Sequence, residues 1–489
     1  MVGIQSTKTQ QLRPLEPVER DMMSVYDLVY ESLVTIDDDY LPQPQLAESW
    51  EASANGRTWT FRLRTDVCFS DGTPMTAADV VATIDAILAR ATSENTTDKG
   101  YYQNLAYFVS SASVKDDYTV TIKTPAARPY WGLLYALTFP ILPASQVGSD
   151  NPMGTGPYQV VSFTPGGYLT LEANPSWWQM MPDIREITFV LHASQSEVIE
   201  SYEYARVDAV FTRAVASSQY KSGTTSLALD YRTNQLECLL MNHSASLLSS
   251  VNVRKAIRYA VNVDKIASSV YMGMVDRTNT PFINGTWMYN SSVDSAYVTD
   301  LEAARRLLEE DGWGDSNGDG ILDKLSGDTL IHLKLNLFVY EEPDDDVRIA
   351  AADMIKEQLA QIGIGVTTTT MKMDTMTEKL VAGSFNLALV SFAMDPCPDY
   401  GFLLMSGNTG NYGRYRSTAM TDLCKELRTC MTQSEYQQLL YRIQEQFTED
   451  CPFICMFYRK GTVLTRRMYT TVRDVRELEL LRGIESFKP

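Results

Sequence analysis

A chain of 489 residues is too long for one hydrophobic core, so two or three domains are expected. With 44% hydrophobic and 21% charged residues it has the make-up of an ordinary globular protein. Its net charge of -19 repels phosphate backbones and anionic lipid surfaces, which argues against a nucleic-acid partner.

The first strong signature is Tyr26-Asp-Leu-Val-Tyr-Glu-Ser-Leu33, followed by Pro44-Gln-Leu-Ala-Glu-Ser-Trp50. Asn55-Gly56 marks a turn. Trp59, Phe61 and Leu63 then alternate with Thr60, Arg62 and Arg64, the pattern of a half-buried strand. Phe69-Ser-Asp-Gly-Thr-Pro74 leads into Thr76 to Asp79, a capping box, and Val80, Ile84, Ile87 and Leu88 continue as a helical stripe. A strand through Tyr118, Val120 and Ile122 completes a small α+β block over roughly 40 to 153. The longest apolar run, Trp131 to Pro143, is too short for a membrane span and carries Thr138 and Pro140, so it reads as core.

Gly154-Thr-Gly-Pro-Tyr158 comes next, then an alternating strand through Leu169 and Leu171, Asn174-Pro-Ser-Trp-Trp178, and a strand Ile187 to Leu191. Arg206-Val-Asp208 precedes Ala209-Val-Phe211. Further on stand Glu237-Cys-Leu-Leu-Met-Asn242 and Val253-Arg-Lys-Ala-Ile-Arg-Tyr-Ala-Val-Asn262. Thr299 to Glu302 reads as a second capping box, ahead of an apolar face of Leu301, Ala304, Leu307 and Leu308 that Gly312 ends. Ile331 to Val339 alternates as one strand. Val347, Ala351, Ile355, Leu359 and Ile362 form a helical stripe closed by Gly363. Ile364 to Thr370 reads as a strand and Met373 to Ala382 as a helix. Phe385 to Phe392 is apolar on both faces apart from Asn386 and Ser391, as a central parallel strand is. This alternation predicts an open, mostly parallel α/β sheet that binds ligand beyond the carboxyl ends of its strands, which puts the residues after Phe392 at the crevice.

Taken in order, these motifs resemble the family 5 solute-binding proteins of ABC importers, the dipeptide and oligopeptide receptors. The resemblance runs from about residue 20 to 485. It implies an α/β fold of the type II periplasmic-binding-protein kind (cluster C-like), with two lobes, a hinge and an extra small α+β domain. Lobe I is then 1–39, 154–236 and 459–489, the accessory domain inserted in it is 40–153, and lobe II is 237–458. The chain crossings near 235–242 and 458–465 form the implied hinge. The implied function is a monomeric extracytoplasmic receptor that captures short peptides between its lobes and delivers them to the transmembrane permease, without cofactor or catalysis. Nickel chelates, haem and oligosaccharides are alternative solutes within the same class. The resemblance also implies a precursor with a leader, hence a cell-surface lipoprotein or a periplasmic protein. Ala205 stands where the family usually carries glycine.

Phe392-Ala-Met-Asp-Pro-Cys-Pro-Asp-Tyr-Gly-Phe-Leu403 resembles the family segment whose aspartate binds the ligand's α-ammonium in peptide-binding members. Asp395 is the matching position, and Phe392 is the aromatic ahead of it. Pro396 replaces a common tyrosine. A carboxylate there would bind a cation through charge-assisted hydrogen bonds, and an Asp-Pro pair equally caps a turn with no ligand. In Asn411-Tyr-Gly-Arg-Tyr-Arg416, Arg414 or Arg416 would hold a carboxylate, with Tyr412 and Tyr415 stacking or donating. A solvated basic loop gives the same pattern. Tyr30 and Trp287 match segments near the family's ligand cavity and read equally well as core aromatics.

Enzyme signatures are absent: His192, His243 and His332 are far apart, and no H-E-x-x-H, G-x-S-x-G, P-loop or dinucleotide fingerprint occurs. This lowers the weight of the alternative from another class, an extracellular peptidase. The seven cysteines are scattered. Cys451 and Cys455 would lie ~13 Å apart on one strand, too far to bridge, so free thiols are expected. Asp315-Ser-Asn-Gly-Asp-Gly320 matches half of a calcium loop with Asp323 at its ninth place. Ser326 occupies the twelfth, where a glutamate is needed, so a plain connecting turn competes and no metal is assigned.

Overall fold

The computed structural model describes residues 1–16, 19–92, 101–125, 131–222, 227–342, 346–466 and 475–484. The chain forms two compact units. The first is Met1–Thr233 with Arg428–Gln433 and Lys460–Pro489; the second is Asn234–Leu427 with Ser434–Arg459.

In the first unit, β1 (Val2–Gln5) and α1 (Arg20–Val29) are followed by the pair β2 (Val34–Ile36) and β3 (Pro42–Pro44). A four-stranded antiparallel sheet comes next, from β4 (Ala47–Ala52), β5 (Thr58–Leu63), β6 (Ser111–Asp116) and β7 (Thr119–Lys123), in the order β4-β5-β7-β6. Helices α2 (Ala77–Ala91) and α3 (Leu105–Phe108) lie between β5 and β6 in the chain. The period-two pattern of β5 buries Trp59, Phe61 and Leu63, and the stripe of α2 buries Val80, Ile84 and Ile87. The capping box that starts α2 is formed, with the Thr76 N–H donating to Asp79 at 2.8 Å. A meander of β8 (Tyr158–Phe163), β9 (Tyr168–Ala173) and β10 (Glu186–His192) then leads to α4 (Gln195–Glu203) and β11 (Ala209–Thr212). Here β1 is parallel to both β10 and β11, while β8, β9 and β10 pair antiparallel. Ala205, after α4, has φ 56°, the left-handed conformation that favours glycine.

The chain crosses to the second unit within β12 (Leu227–Met241) and continues through α5 (Val251–Ala260), α6 (Val263–Ser269), β13 (Val275–Arg277), α7 (Leu301–Glu310), β14 (Asp323–Ser326), β15 (Thr329–His332) and β16 (Lys334–Tyr340). There follow α8 (Val347–Ala360), β17 (Gly365–Met371), α9 (Met373–Ala382), β18 (Leu387–Ala393), α10 (Gly401–Leu404), α11 (Thr418–Leu427) and α12 (Gln433–Asp450). The last strand, β19 (Phe453–Thr465), carries the chain back at Lys460. The sheet order is β17-β16-β18-β12-β19. β16 is parallel to β17 and β18, but β12 is antiparallel to β18, so this sheet is mixed rather than mostly parallel. The reason is where β12 enters: it starts at the end of the sheet where β18 finishes, with Gln235 opposite Ala393, and so runs against it.

Two local expectations are corrected. Ile331 to Val339 is not one strand. It breaks at the buried Leu333, whose N–H donates to the Leu322 carbonyl at 2.8 Å, leaving β15 in a hairpin with β14 and β16 in the main sheet. The cap of α7 is Asp300, not Thr299: the Asp300 carboxylate accepts the Ala303 N–H at 2.9 Å.

Candidate functional site

The register Leu337↔Leu387 and Val339↔Leu389 places the carboxyl ends of β16 and β18 at one edge of the second unit's sheet, together with the start of β12. Along β18 the residues Leu387 to Val390 are buried, and burial lessens through Ser391 and Phe392 until Ala393 is exposed. At that end the Phe392 ring stacks on Tyr412, with centroids 6.4 Å apart and planes 13° apart, and meets Phe402 edge-on at 6.5 Å. All three rings are half-buried, so they form an apolar wall that ordinary core packing does not close. Asp395 follows three residues on and is also half-buried. Its Oδ1 accepts the Cys397 N–H at 2.9 Å, which fixes the Asp-Pro turn.

The other predicted residues are placed elsewhere. Gly413 accepts the His243 N–H at 2.8 Å just past the end of β12, at the opposite edge of the sheet. There Arg414 has φ 58°, is exposed, and donates to the Val381 carbonyl at the end of α9. Tyr415 is buried, edge-on to His243 at 5.5 Å, and its hydroxyl donates to Asp450. Burial and that hydrogen bond push its phenol pKa up. Arg416 is exposed. The length of β18, roughly 20 Å, separates this edge from Asp395. Trp287 is half-buried against α12, 6.5 Å from Tyr436, with its carbonyl accepting from Gln437 at 2.7 Å. Tyr30 belongs to the first unit and is core: its hydroxyl donates to the Pro152 carbonyl at 2.9 Å, and burial raises its pKa. Phe392 and Asp395 therefore lie at the carboxyl end of β18, the Tyr412 ring reaches Phe392 from the 411–416 loop, and Gly413 to Tyr415 continue past the end of β12.

Sequence reasoning missed a buried charge cluster in the second unit. Glu237, on β12 and fully buried, accepts from Arg348 of α8 at 2.6 and 3.3 Å. Glu342, just after β16, forms an ion pair with Arg348 at 2.7 Å and accepts from Arg459 of β19 at 2.8 Å. The Arg348 guanidinium also lies 3.9 Å over the Tyr340 ring. Burial works to raise the Glu342 pKa, but Arg348 and Arg459 outweigh it and hold the carboxyl below its usual range. Two arginines and two glutamates leave the cluster neutral, so it ties β12, β16, α8 and β19 together. The signal available in sequence was Glu237 within the otherwise apolar run Leu236 to Met241.

In the half calcium loop, the Asp315 carboxylate accepts the N–H groups of Gly318, Asp319 and Gly320, and Asp323 accepts the N–H of Ser316. Among the described residues no three His, Cys, Asp or Glu side chains gather as a metal site. All seven cysteines are free, six of them buried.

A model of the bacterial extracellular solute-binding proteins, family 5 (middle) matches residues 42–414. The chain belongs to this family. This family 5 protein is 24% identical over 462 residues to the oligopeptide-binding protein AppA of Bacillus subtilis, a match covering 89% of this chain and 81% of the relative. It is 26% identical over 375 residues to the nickel-binding periplasmic protein of Escherichia coli, covering 72% and 68%. The solved structure of NikA from Brucella suis matches with a TM-score of 0.83 at 22% identity, covering 100% of this chain and 99% of that one. The fold is that of the type II periplasmic binding proteins, and the family is one of solute-binding receptors. Among the described residues no helix is long and apolar enough to cross a membrane.

Proposed function

We propose that this family 5 protein is the extracytoplasmic receptor of an ABC importer, and that its solute is a short peptide whose α-ammonium is held by Asp395. The observation that carries this reading is Asp395 just past the carboxyl end of β18, three residues after Phe392, whose ring packs with Tyr412 and Phe402. Strand ends of an α/β sheet are where ligands bind. A carboxylate has about four acceptor sites, so the turn bond to Cys397 and an ammonium are compatible. The charge-assisted bond would fix the peptide's start, the rings would take apolar side chains, and amide hydrogen bonds would read a backbone common to all sequences. The relative from Bacillus subtilis is named an oligopeptide-binding protein, which supports this solute class.

In this reading the two compact units act as the receptor's lobes. The sheet β4-β5-β7-β6 with α2 is the accessory domain of 40–153, and β12 and β19, which carry the crossings at Thr233/Asn234 and Arg459/Lys460, form the hinge. The protein works as a monomer at the cell surface or in the periplasm, hydrolyses nothing, and hands its solute to a permease. A nickel chelate is the second reading, favoured by the relative from Escherichia coli.

Calorimetric titration tests the role of Asp395. Removing one partner of a desolvated charge pair costs about 2–5 kcal/mol, so Asp395→Ala should weaken peptide binding by about 30-fold or more. N-acetylation of the peptide should cost the wild type a similar factor and the variant little more. Unchanged affinity in Asp395→Ala would remove the proposed role.

A further inference from the structure

Glu31 follows α1 in the first unit and is 4% exposed. Its carboxylate accepts the Trp178 indole N–H at 3.0 and 3.1 Å and the Trp177 indole N–H at 3.3 Å. The buried Thr155 hydroxyl lies beside it and, among the described residues, has no other hydrogen-bond partner. Arg64, just beyond β5, is the cation that faces this group. It lies 4.0 Å over the Trp178 ring and is itself paired with Asp66 at 2.7 Å. The segment after α1, the end of β5, the 154–157 return and the 174–178 turn thus meet at one carboxyl group.

An indole N–H can only donate, whereas a threonine hydroxyl can donate or accept. The ionised carboxylate therefore satisfies both indoles and can accept from Thr155. The protonated acid has one O–H to place, and Thr155 Oγ1 is there to accept it. The ionised state matches both indoles and the Thr155 hydroxyl, while the protonated state finds an acceptor for its new O–H at Thr155 Oγ1.

We propose that Glu31, Trp177, Trp178 and Thr155 form a proton switch inside the first unit: ionised Glu31 grips both indoles, and protonated Glu31 donates to Thr155 and loosens its hold on the 174–178 turn. Burial raises the Glu31 pKa to about 7, outweighing the indole donors, Thr155 and Arg64, which lower it. The exchange then falls between mildly acidic and neutral pH. The folded pKa lies above the unfolded one. The stability this group contributes is therefore fully present below its unfolded pKa, about 4.3, and is lost as pH rises through about 7.

The test is nitrogen-15 NMR of the tryptophan indoles in the full-length protein, with Trp177→Phe and Trp178→Phe used for assignment. In the wild type both indole resonances should titrate together with a midpoint near 7, and in Glu31→Gln they should stay flat. Trp178→Phe removes a donor to the ionised form, so the Trp177 midpoint should rise. Wild-type resonances that stay flat from about pH 5.5 to about pH 8.5, a titration that persists in Glu31→Gln, or an unmoved midpoint in Trp178→Phe would each overturn the switch.

Discussion

Arg348→Ala should remove about 3–5 kcal/mol of stability, because it leaves buried charge without its partner. Glu237 is fully buried, and its short contacts, at 2.6 and 3.3 Å, are both to Arg348; Arg459 stands 4.0 Å away. Truncation also takes the cation off the Tyr340 ring and opens space inside α8. Urea denaturation followed by circular dichroism measures the loss. A variant within about 1 kcal/mol of wild type would show that Arg459 and solvent compensate, and would contradict the reading of Arg348 as the centre of the cluster. Replacing both partners, as in Glu237→Leu with Arg348→Met, should cost far less than Arg348→Ala, since no charge is then stranded. The wild-type cluster is also acid-sensitive. The folded Glu342 carboxyl titrates below its usual range, so its contribution is present at neutral pH and is lost as pH falls through that lowered value.

Gly154→Ala is expected to be as damaging for a different reason. A Cβ at this position would sit 1.9 Å from the Val29 carbonyl oxygen, 2.7 Å from its carbon and 2.9 Å from the Tyr30 ring. The obstacle is backbone at the end of α1, which cannot turn aside as a flexible side chain can. Gly156 presses on the same turn, with its Cβ position 2.7 Å from the Leu28 carbonyl oxygen, and its N–H donates to Val29 at 2.9 Å. Overpacking of this kind costs about 3 kcal/mol or more, and thermal unfolding should show it as a large fall in Tm. Gly166→Ala is the comparison: it has φ 65° and open space around its Cβ position, so it should cost only about 1 kcal/mol of backbone strain. Equal losses at Gly154 and Gly166 would contradict the steric account.

These two sites also show what a sequence exposes and what it conceals. Helix α9 and strand β5 are legible because one periodicity runs through each without interruption, and β18 because its run is apolar on both faces. The break at Leu333 is invisible for the same reason: alternation continues across it, and only the bond to Leu322 assigns the halves to different sheets. Thr299 and Asp300 are both good capping residues, so only geometry selects between them. Arg348 shares the buried side of α8 with Ala352, Ile355 and Leu359, yet its charge marks it as a surface residue until Glu237 is found opposite. Family resemblance pointed to Asp395 and Phe392. The stacking of Phe392 on Tyr412, twenty positions further along the chain, depends on a loop path that no local pattern encodes. In the same loop the side chains of Arg414 and Tyr415 turn to other partners, Val381 and Asp450, although adjacency in sequence had grouped them with Tyr412.

Peptide capture itself is measured most directly by native mass spectrometry of the purified protein mixed with peptides, followed by denaturing release of whatever is bound. The proposed function predicts adducts whose masses match di- to pentapeptides, greatly diminished in Asp395→Ala. A protein mass unchanged by peptides, or shifted only by a nickel chelate, would contradict it.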